Sequence, residues 1–335
     1  MATYELTVSA PNIEDRSFTK PLLCGPGPCD LWPSVSEALA KPVITPLCDE
    51  HYNVIDDIRA GLQYIFQTRN KLVYAVSGSG HSGMETIISN LLGPNEVLLI
   101  ASRGIWDQRA NIIANRYGIK TIIISAPFNT TFSHDTLEAA LNKHKPTALF
   151  ITHGDSSTGT VQNLKGLGEI CHRDKINNRK HEPPFYFDAK LLAQQWNCYG
   201  NTRQYHHTLS PPLLWALRQC LREVAKETLP KSWARHAATT AHFHRRIQQM
   251  SLQFLVPKPE DRLATVTTIV LPNGYDYVKF YKYIRDKYNI LIFAGLGPTV
   301  GKALRIGLMG VNSTIEVADA VADAMMGALK VKSLL

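Results

Sequence analysis

The stretch Lys71-Leu72-Val73-Tyr74-Ala75-Val76-Ser77-Gly78-Ser79-Gly80-His81-Ser82-Gly83 decides the fold class. Its first six residues form a mostly apolar run that predicts a buried strand, and the glycines after it predict a tight turn. Beyond the turn, Met84, Ile87, Ile88, Leu91 and Leu92 recur at the period of a helix. Strand, glycine loop and helix then repeat outward. Residues 97–101 read as a second strand, 108–117 as a helix ended by Gly118, 121–124 as a third strand, 135–143 as a helix and 147–152 as a fourth strand. This alternation predicts an α/β fold with a mostly parallel sheet covered on both faces, and ligands on such sheets sit at the carboxyl ends of the strands. Upstream, Tyr52, Ile55, Ile58, Leu62, Ile65 and Phe66 predict a helix over 50–67.

After a short helix over 166–173 the alternation stops, and the polar run 174–184 holds no strand. Helices are predicted over 213–226 and 233–250, then a strand over 264–271, a helix over 276–288, strands over 291–293 and 304–308, and a closing helix over 315–329. The end of the chain is therefore a smaller α+β domain. Three segments follow: an N-terminal arm and loop over 1–46, centred on Gly25-Pro26-Gly27-Pro28; a large domain over 47–210; and a C-terminal small domain over 211–335.

The chain has 335 residues, 44% hydrophobic and 19% charged, which is ordinary globular composition. Its formal charge of +8 comes from scattered basic residues with no run of five or six like charges, so nucleic acid is not the expected partner. Six cysteines, Cys24, Cys29, Cys48, Cys171, Cys198 and Cys220, show no C-x-x-C spacing and are expected to be free thiols, with no metal site. There is no run of 18 apolar residues and no signal-like N-terminus, so a soluble protein without membrane partners is expected.

Gly78 to Gly83 matches G-x-G-x-x-G, but a dinucleotide site also wants an acidic residue at the end of the next strand, where this chain has Ala101-Ser102-Arg103. The reading that survives is a phosphate cradle, in which backbone N–H groups at a helix N-terminus and the Ser79 hydroxyl bind phosphate on whatever molecule carries it. A tight turn with no ligand is the alternative. Trp106, just past the second strand, offers either a flat face to an aromatic ring or a core side chain. The loop Thr152-His153-Gly154-Asp155-Ser156-Ser157-Thr158-Gly159 is too polar for packing alone. Arg305 lies in an otherwise apolar strand and needs an anion, either a substrate carboxylate or a buried structural partner.

Eight segments in order carry a family resemblance: L-L-C-G-P-G-P at 22–28, Y-I-F-Q-T-R-N at 64–70, S-G-S-G-H at 77–81, G-I-W-D-Q-R-A at 104–110, T-H-G-D-S-S-T-G at 152–159, R-Q-Y-H-H-T at 203–208, L-A-T-V-T-T at 263–268, and Ala294-Gly295-Leu296-Gly297-Pro298 before L-R-I-G-L at 304–308. Together, over about 22–173 and 185–330, they resemble the class V, fold-type I pyridoxal-phosphate aminotransferases. The resemblance is specifically to the alanine–glyoxylate (serine–pyruvate) aminotransferase group, which includes the insect 3-hydroxykynurenine transaminases. The resemblance implies pyridoxal 5'-phosphate as cofactor, its phosphate held by Ser79, Gly80 and His81, its ring stacked on Trp106 and its hydroxyl side near Ser156. It implies a homodimer in which Tyr205 and Thr208 reach the neighbouring subunit's phosphate site. It further implies small amino-acid and keto-acid substrates, with Gly25 lining the substrate side and Arg305 gripping the carboxylate. The implied reaction moves an amino group from alanine or serine to glyoxylate, with 3-hydroxykynurenine as a further donor, in a peroxisomal or mitochondrial setting. The C-terminal Lys332-Ser333-Leu334-Leu335 ends in the leucine of a peroxisomal signal without its adjacent basic residue, and a peroxisomal address is the expectation, with mitochondrial or cytoplasmic alternatives.

One departure matters. Relatives of this kind carry, after the helix containing Glu169-Ile170-Cys171-His172, an aspartate that pairs with the pyridinium nitrogen and then the Schiff-base lysine. Neither segment is expected here. The missing part amounts to two or three strands, a helix and their loops, roughly fifty residues on mean element lengths, with the junction near Arg173-Asp174. Asp188-Ala189-Lys190 mimics the lost motif but belongs to a later part of the chain, and neither Lys190 nor Lys165, Lys175 or Lys180 is expected to replace the lysine. That lysine supplies both the covalent anchor and the general base, so no catalytic residue is identified and an impaired transaminase is expected. The alternative is a non-catalytic splice variant or incomplete gene model that dimerises with full-length subunits.

Overall fold

A computed structural model describes residues 11–17, 19–171, 181–200 and 202–334. In chain order its elements are β1 (Leu22–Leu23), α1 (Pro33–Leu39), α2 (Asp49–Ile65), α3 (Gly80–Leu91), β2 (Val97–Ser102), α4 (Ile105–Arg116), β3 (Lys120–Ser125), α5 (His134–His144), β4 (Ala148–Ile151), the two-residue strands β5 (Gly154–Asp155) and β6 (Thr160–Val161), and α6 (Leu167–Cys171). They continue with α7 (Ala189–Gln195), α8 (Pro211–Glu227), α9 (Leu229–Gln249), β7 (Gln253–Phe254), β8 (Val266–Val270), α10 (Tyr277–Tyr288), β9 (Ile290–Leu291), β10 (Phe293–Ala294), β11 (Leu304–Gly307) and α11 (Ile315–Leu329).

The parallel sheet has the order β3-β2-β4, with Leu98 opposite Thr121 on one side and Ala148 on the other. Alternation along β2 distributes its side chains. Leu98 and Ile100 pack with Ile88 of α3, with Leu92 just past its end, and with Ala110, Ile113 and Ala114 of α4. Ala101 faces the other way, into Phe132, Leu137 and Leu167. The sheet is therefore covered on both faces, as its unbroken apolar runs require.

The run 71–76, expected to be the first strand of this sheet, joins no ladder, and within it Val73 N donates to Lys71 O at 2.9 Å. A strand is defined by its partner, and among the described residues no strand lies beside this run or beyond the outer edge of β4. The same gap shows on α3. Of its apolar stripe, Ile88 and Leu92 are buried, whereas Ile87 is 60% and Leu91 47% exposed. The junction expected near Arg173-Asp174 lies outside the described residues, as do Lys175 and Lys180.

The C-terminal sheet runs β10-β11-β8-β7 and is antiparallel throughout. Phe243 and Ile247 of α9, Phe280 and Ile284 of α10, and Val321 and Met325 of α11 close on Ile269, Leu304 and Ile306. The strand expected over 291–293 is split: Ile290–Leu291 pairs in parallel with β1, Phe293–Ala294 pairs with β11, and the chain changes sheet at fully buried Ile292. A third core joins Val54, Ile55 and Ile58 of α2 to Leu214 and Leu221 of α8 around buried Trp196. No helix among the described residues is long and apolar enough to cross a membrane.

Candidate cofactor site

The glycine loop turns the chain from the run 71–76 into α3. Gly78 has a φ of +149°, and a Cβ there would lie 2.2 Å from Ser82 Oγ, so only glycine makes this turn without strain. Ser79 occupies the N-cap position in extended conformation without a side-chain cap bond, and Gly80 opens the helix. Gly78, Ser79, Gly80 and His81 are all exposed. An accessible helix N-terminus with a small hydroxyl residue beside it has the donors and the dipole that a phosphate needs.

The His81 ring meets Trp106 edge to face, with centroids 6.0 Å apart. Trp106 is half-buried in the first turn of α4, and that turn is held by Asp107. The Asp107 Oδ2 accepts the N–H groups of Arg103 and Gly104, both at 2.9 Å, and Oδ1 accepts the Thr152 hydroxyl. This cap explains why α4 begins at Ile105, three residues before its apolar pattern. Arg103, where a dinucleotide fold would place its acid, donates instead to Gln162 Oε1 at 3.1 Å and Thr152 O at 2.5 Å. Burial pulls the Arg103 pKa down, and the nearby Asp155 and Asp107 carboxylates oppose that shift.

The loop 154–160 is tied down from the C-terminal sheet. Arg305 is 8% exposed and donates through Nε to Ala294 O at 3.0 Å and through Nη1 to Ser156 O at 3.1 Å. Thr299 and Thr268 hydroxyls donate to Ser157 O and Thr158 O at 2.9 and 2.7 Å. Asp155 is fully buried, its Oδ1 accepting the N–H and hydroxyl of Ser157, and its Oδ2 lies where a side chain on Gly104 would have to go. Burial lowers the Arg305 pKa, and Asp155 counteracts it. His81, Trp106, Ser156 and Arg305 thus form one connected wall, joined through Gly104 and Asp155. Gly25 lies against Phe293, the residue paired with Arg305, and a Cβ on it would strike the Phe293 ring at 2.3 Å. Tyr205 Oη and Thr208 Oγ1 bond each other at 2.7 Å, and Tyr205 is 52% exposed.

Arg103, Asp107, Asp155, Gln162 and Thr299 were not singled out by sequence reasoning. The spacing of Asp107 from Gly104 was a readable capping signal, but the partners of the others come from distant segments.

The match to known proteins is direct. The family model described as aminotransferase class-V matches residues 43–177. Alanine–glyoxylate aminotransferase of Rattus norvegicus is 37% identical, covering 98% of this chain and 93% of the relative. The chain belongs to the class V aminotransferases. The Drosophila melanogaster alanine–glyoxylate aminotransferase is 34% identical over 93% of each chain. A crystal structure of alanine–glyoxylate aminotransferase from Nostoc sp. superposes with a TM-score of 0.91 at 31% identity, covering 95% of this chain and 98% of that one. Class V aminotransferases are enzymes whose cofactor is pyridoxal phosphate. The Rattus alignment runs over 385 positions, and a chain of 335 residues leaves at least 50 of them without a counterpart here.

Among the described residues, the fit to the family's cofactor lies at its phosphate and ring end. The exposed N-terminus of α3, Ser79 and the Trp106 face suit a phosphorylated aromatic ring. At the covalent end, Lys190 is exposed in the first turn of α7, where Ala189 N bonds Asn90 Oδ1 near the far end of α3. Ten residues of helix, about 15 Å, separate Asn90 from Gly80. Lys165 lies in an exposed turn next to Gly166, which faces His134 at the start of α5. Neither side chain approaches the cradle.

Proposed function

We propose that this class V aminotransferase chain retains the cofactor cradle and lacks the covalent chemistry: it holds pyridoxal phosphate noncovalently and is impaired as a transaminase. The reaction we assign to it is amino transfer from alanine to glyoxylate, which the alanine–glyoxylate aminotransferase relatives support, with serine and 3-hydroxykynurenine as further donors. The observation that carries the impairment is the placement of Lys190, the lysine of an Asp-Ala-Lys sequence, at the opposite end of α3 from Gly80.

Bound pyridoxal phosphate supplies the electron sink of transamination. The chain's own residues supply the rest of the site. The first turn of α3 and Ser79 hold the phosphate, Trp106 presents a ring face, and Arg305 fixes the Ser156 turn below it. Among the described residues, neither Lys190 nor Lys165 is placed to move a proton at the substrate carbon.

In the same reading the protein works as a dimer. The exposed Tyr205–Thr208 pair is bonded within itself and available to a neighbouring subunit, which favours pairing with itself or with full-length relatives. A peroxisomal address remains part of this proposal.

The test is to titrate the purified chain with pyridoxal phosphate, follow Trp fluorescence, reduce with borohydride and map lysines by peptide mass. Saturable quenching without a stoichiometric lysine adduct, and no transamination of alanine with glyoxylate, is the expected result. A single stoichiometric adduct would overturn the impairment.

A further inference from the structure

Four consecutive carbonyls in the turn after β5 each accept a bond from a different residue of the C-terminal part of the chain. Arg305 Nη1 donates to Ser156 O at 3.1 Å and the Thr299 hydroxyl to Ser157 O at 2.9 Å. The Thr268 hydroxyl donates to Thr158 O at 2.7 Å, and Leu263 N to Gly159 O at 2.8 Å. Two of these four donors are threonine side chains, 3% exposed at Thr268 and fully buried at Thr299. Thr299 Oγ1 also accepts Leu296 N–H at 2.8 Å and shares its single proton with Leu296 O at 3.0 Å, so Thr268 is the firmer tie.

The turn is closed on itself without this clamp. Asp155 O accepts Gly159 N–H at 2.7 Å, and Asp155 Oδ1 accepts the N–H and the hydroxyl of Ser157 at 2.8 and 2.6 Å. A turn closed in this way keeps its own shape, so the threonines settle where it stands. Gly159, with a φ of +78°, lets the turn come down onto β8, because a Cβ there would lie 2.6 Å from Thr268 Oγ1.

The same C-terminal segment touches the turn that carries Trp106. A Cβ on Gly297 would lie 3.1 Å from Ile105 Cβ, and a Cβ on Gly104 would lie 3.2 Å from Ser157 Oγ. Residues 297–299, the Ser156 turn and the first turn of α4 therefore meet at one place. The phosphate cradle is separate: it is built on the N-terminus of α3, and the described bonds of Thr268, Thr299 and Arg305 do not reach it.

We propose that Thr268 and Thr299 are positioning residues for the ring of pyridoxal phosphate. They act through the carbonyls of Thr158 and Ser157 and hold the Ser156 turn at its place beside Trp106, so that the ring meets a preformed wall. This assignment rests on the reading of the cradle as a pyridoxal phosphate site. It adds that ring binding and phosphate binding depend on different parts of the chain, the ring on the C-terminal sheet and the phosphate on α3.

The test uses the full chain and reads pyridoxal phosphate affinity by Trp fluorescence titration, together with the visible circular dichroism of the bound cofactor. Thr268→Val with Thr299→Val keeps the side-chain shape and removes both hydroxyls. It is expected to weaken pyridoxal phosphate by about tenfold and to remove most of the dichroism, and Thr268→Val alone by about threefold. Affinity for inorganic phosphate, measured by calorimetry, stays within about twofold because the cradle is untouched. Thr268→Ser with Thr299→Ser keeps the hydroxyls and restores cofactor affinity to within about twofold of the parent chain. Thr267→Val is the control, since Thr267 precedes Thr268 in β8, faces the other side of the sheet and lies 3.1 Å from His244 Nε2. It lowers the urea midpoint and leaves cofactor affinity unchanged. Unchanged affinity in the valine variants, an equal loss in Thr267→Val, or a parallel loss of phosphate affinity would overturn the proposal. A parent chain that binds no pyridoxal phosphate would overturn the cofactor reading and this proposal with it, whereas binding indifferent to the hydroxyls overturns this proposal alone.

Discussion

The backbone N–H of Ala189 donates to Asn90 Oδ1 at 2.9 Å, and Asn90 Nδ2 donates to Phe187 O at 2.7 Å, so the start of α7 is clamped to the C-terminal end of α3. The clamp fixes where Lys190 can be. Lys190→Ala is expected to leave pyridoxal phosphate affinity within about twofold, measured by Trp fluorescence titration. Asn90→Ala removes both bonds and is expected to cost about 1–3 kcal/mol in urea unfolding.

Asp107 satisfies two backbone N–H groups and a hydroxyl at the turn that carries Trp106. Asp107→Ala leaves those donors without their acceptor in a buried place. The expected loss is about 2 kcal/mol of stability, at the upper end for a helix cap. Trp106 emission in the native baseline should shift to the red as its turn loosens, and an unchanged spectrum with unchanged stability would contradict this account.

The described bonds of Arg305 go to Ala294 O and Ser156 O, tying the turn after β5 to β10. Arg305→Met leaves both carbonyls without this donor and removes the cation near buried Asp155. A loss of about 3 kcal/mol is expected from the urea midpoint. Arg305→Lys should recover only part of it, because a single ammonium cannot reproduce the guanidinium fork.

His244 predicts an acid limb of stability. Its Nε2 lies 3.1 Å from Thr267 Oγ1, its ring packs on Phe254 at 4.7 Å, and the Arg262 guanidinium stacks over the same Phe254 at 4.0 Å. Burial, and then the charge of Arg262, push the His244 pKa down to about 4. With the folded value below the unfolded one, protonation favours the unfolded chain. The stabilisation is complete above the ordinary histidine range near 6.5 and is lost as pH falls toward about 4. The effect is on the order of 2 kcal/mol. His244→Gln should flatten the decline between pH 6.5 and 4, read from unfolding midpoints at several pH values; an equal decline in both proteins would remove His244 as its source.

Most elements were legible because their signals are local. Closing helix α11 follows a periodic apolar stripe and a Thr314 cap, and β2 follows a continuous aliphatic run. The glycine loop was legible as a phosphate cradle for the same reason, since the conformation at Gly78 and the small residues after it are local properties. Arg305 was legible only as a buried cation in need of an oxygen. That its described acceptors are two backbone carbonyls, one of them from the turn after β5, depends on a sheet and a loop that meet about 150 residues apart in the chain.

By itself the sequence determined the helices, the two kinds of sheet, the glycine turn and the kinship, because periodicity, turn chemistry and ordered motifs need no knowledge of neighbours. Tertiary structure alone decided that the run 71–76 is no strand, that Ile87 and Leu91 stand uncovered on an otherwise packed helix, and that Lys190 belongs to the wrong end of α3. Pairing, burial and reach are relations between segments, and each depends on what the rest of the chain places alongside.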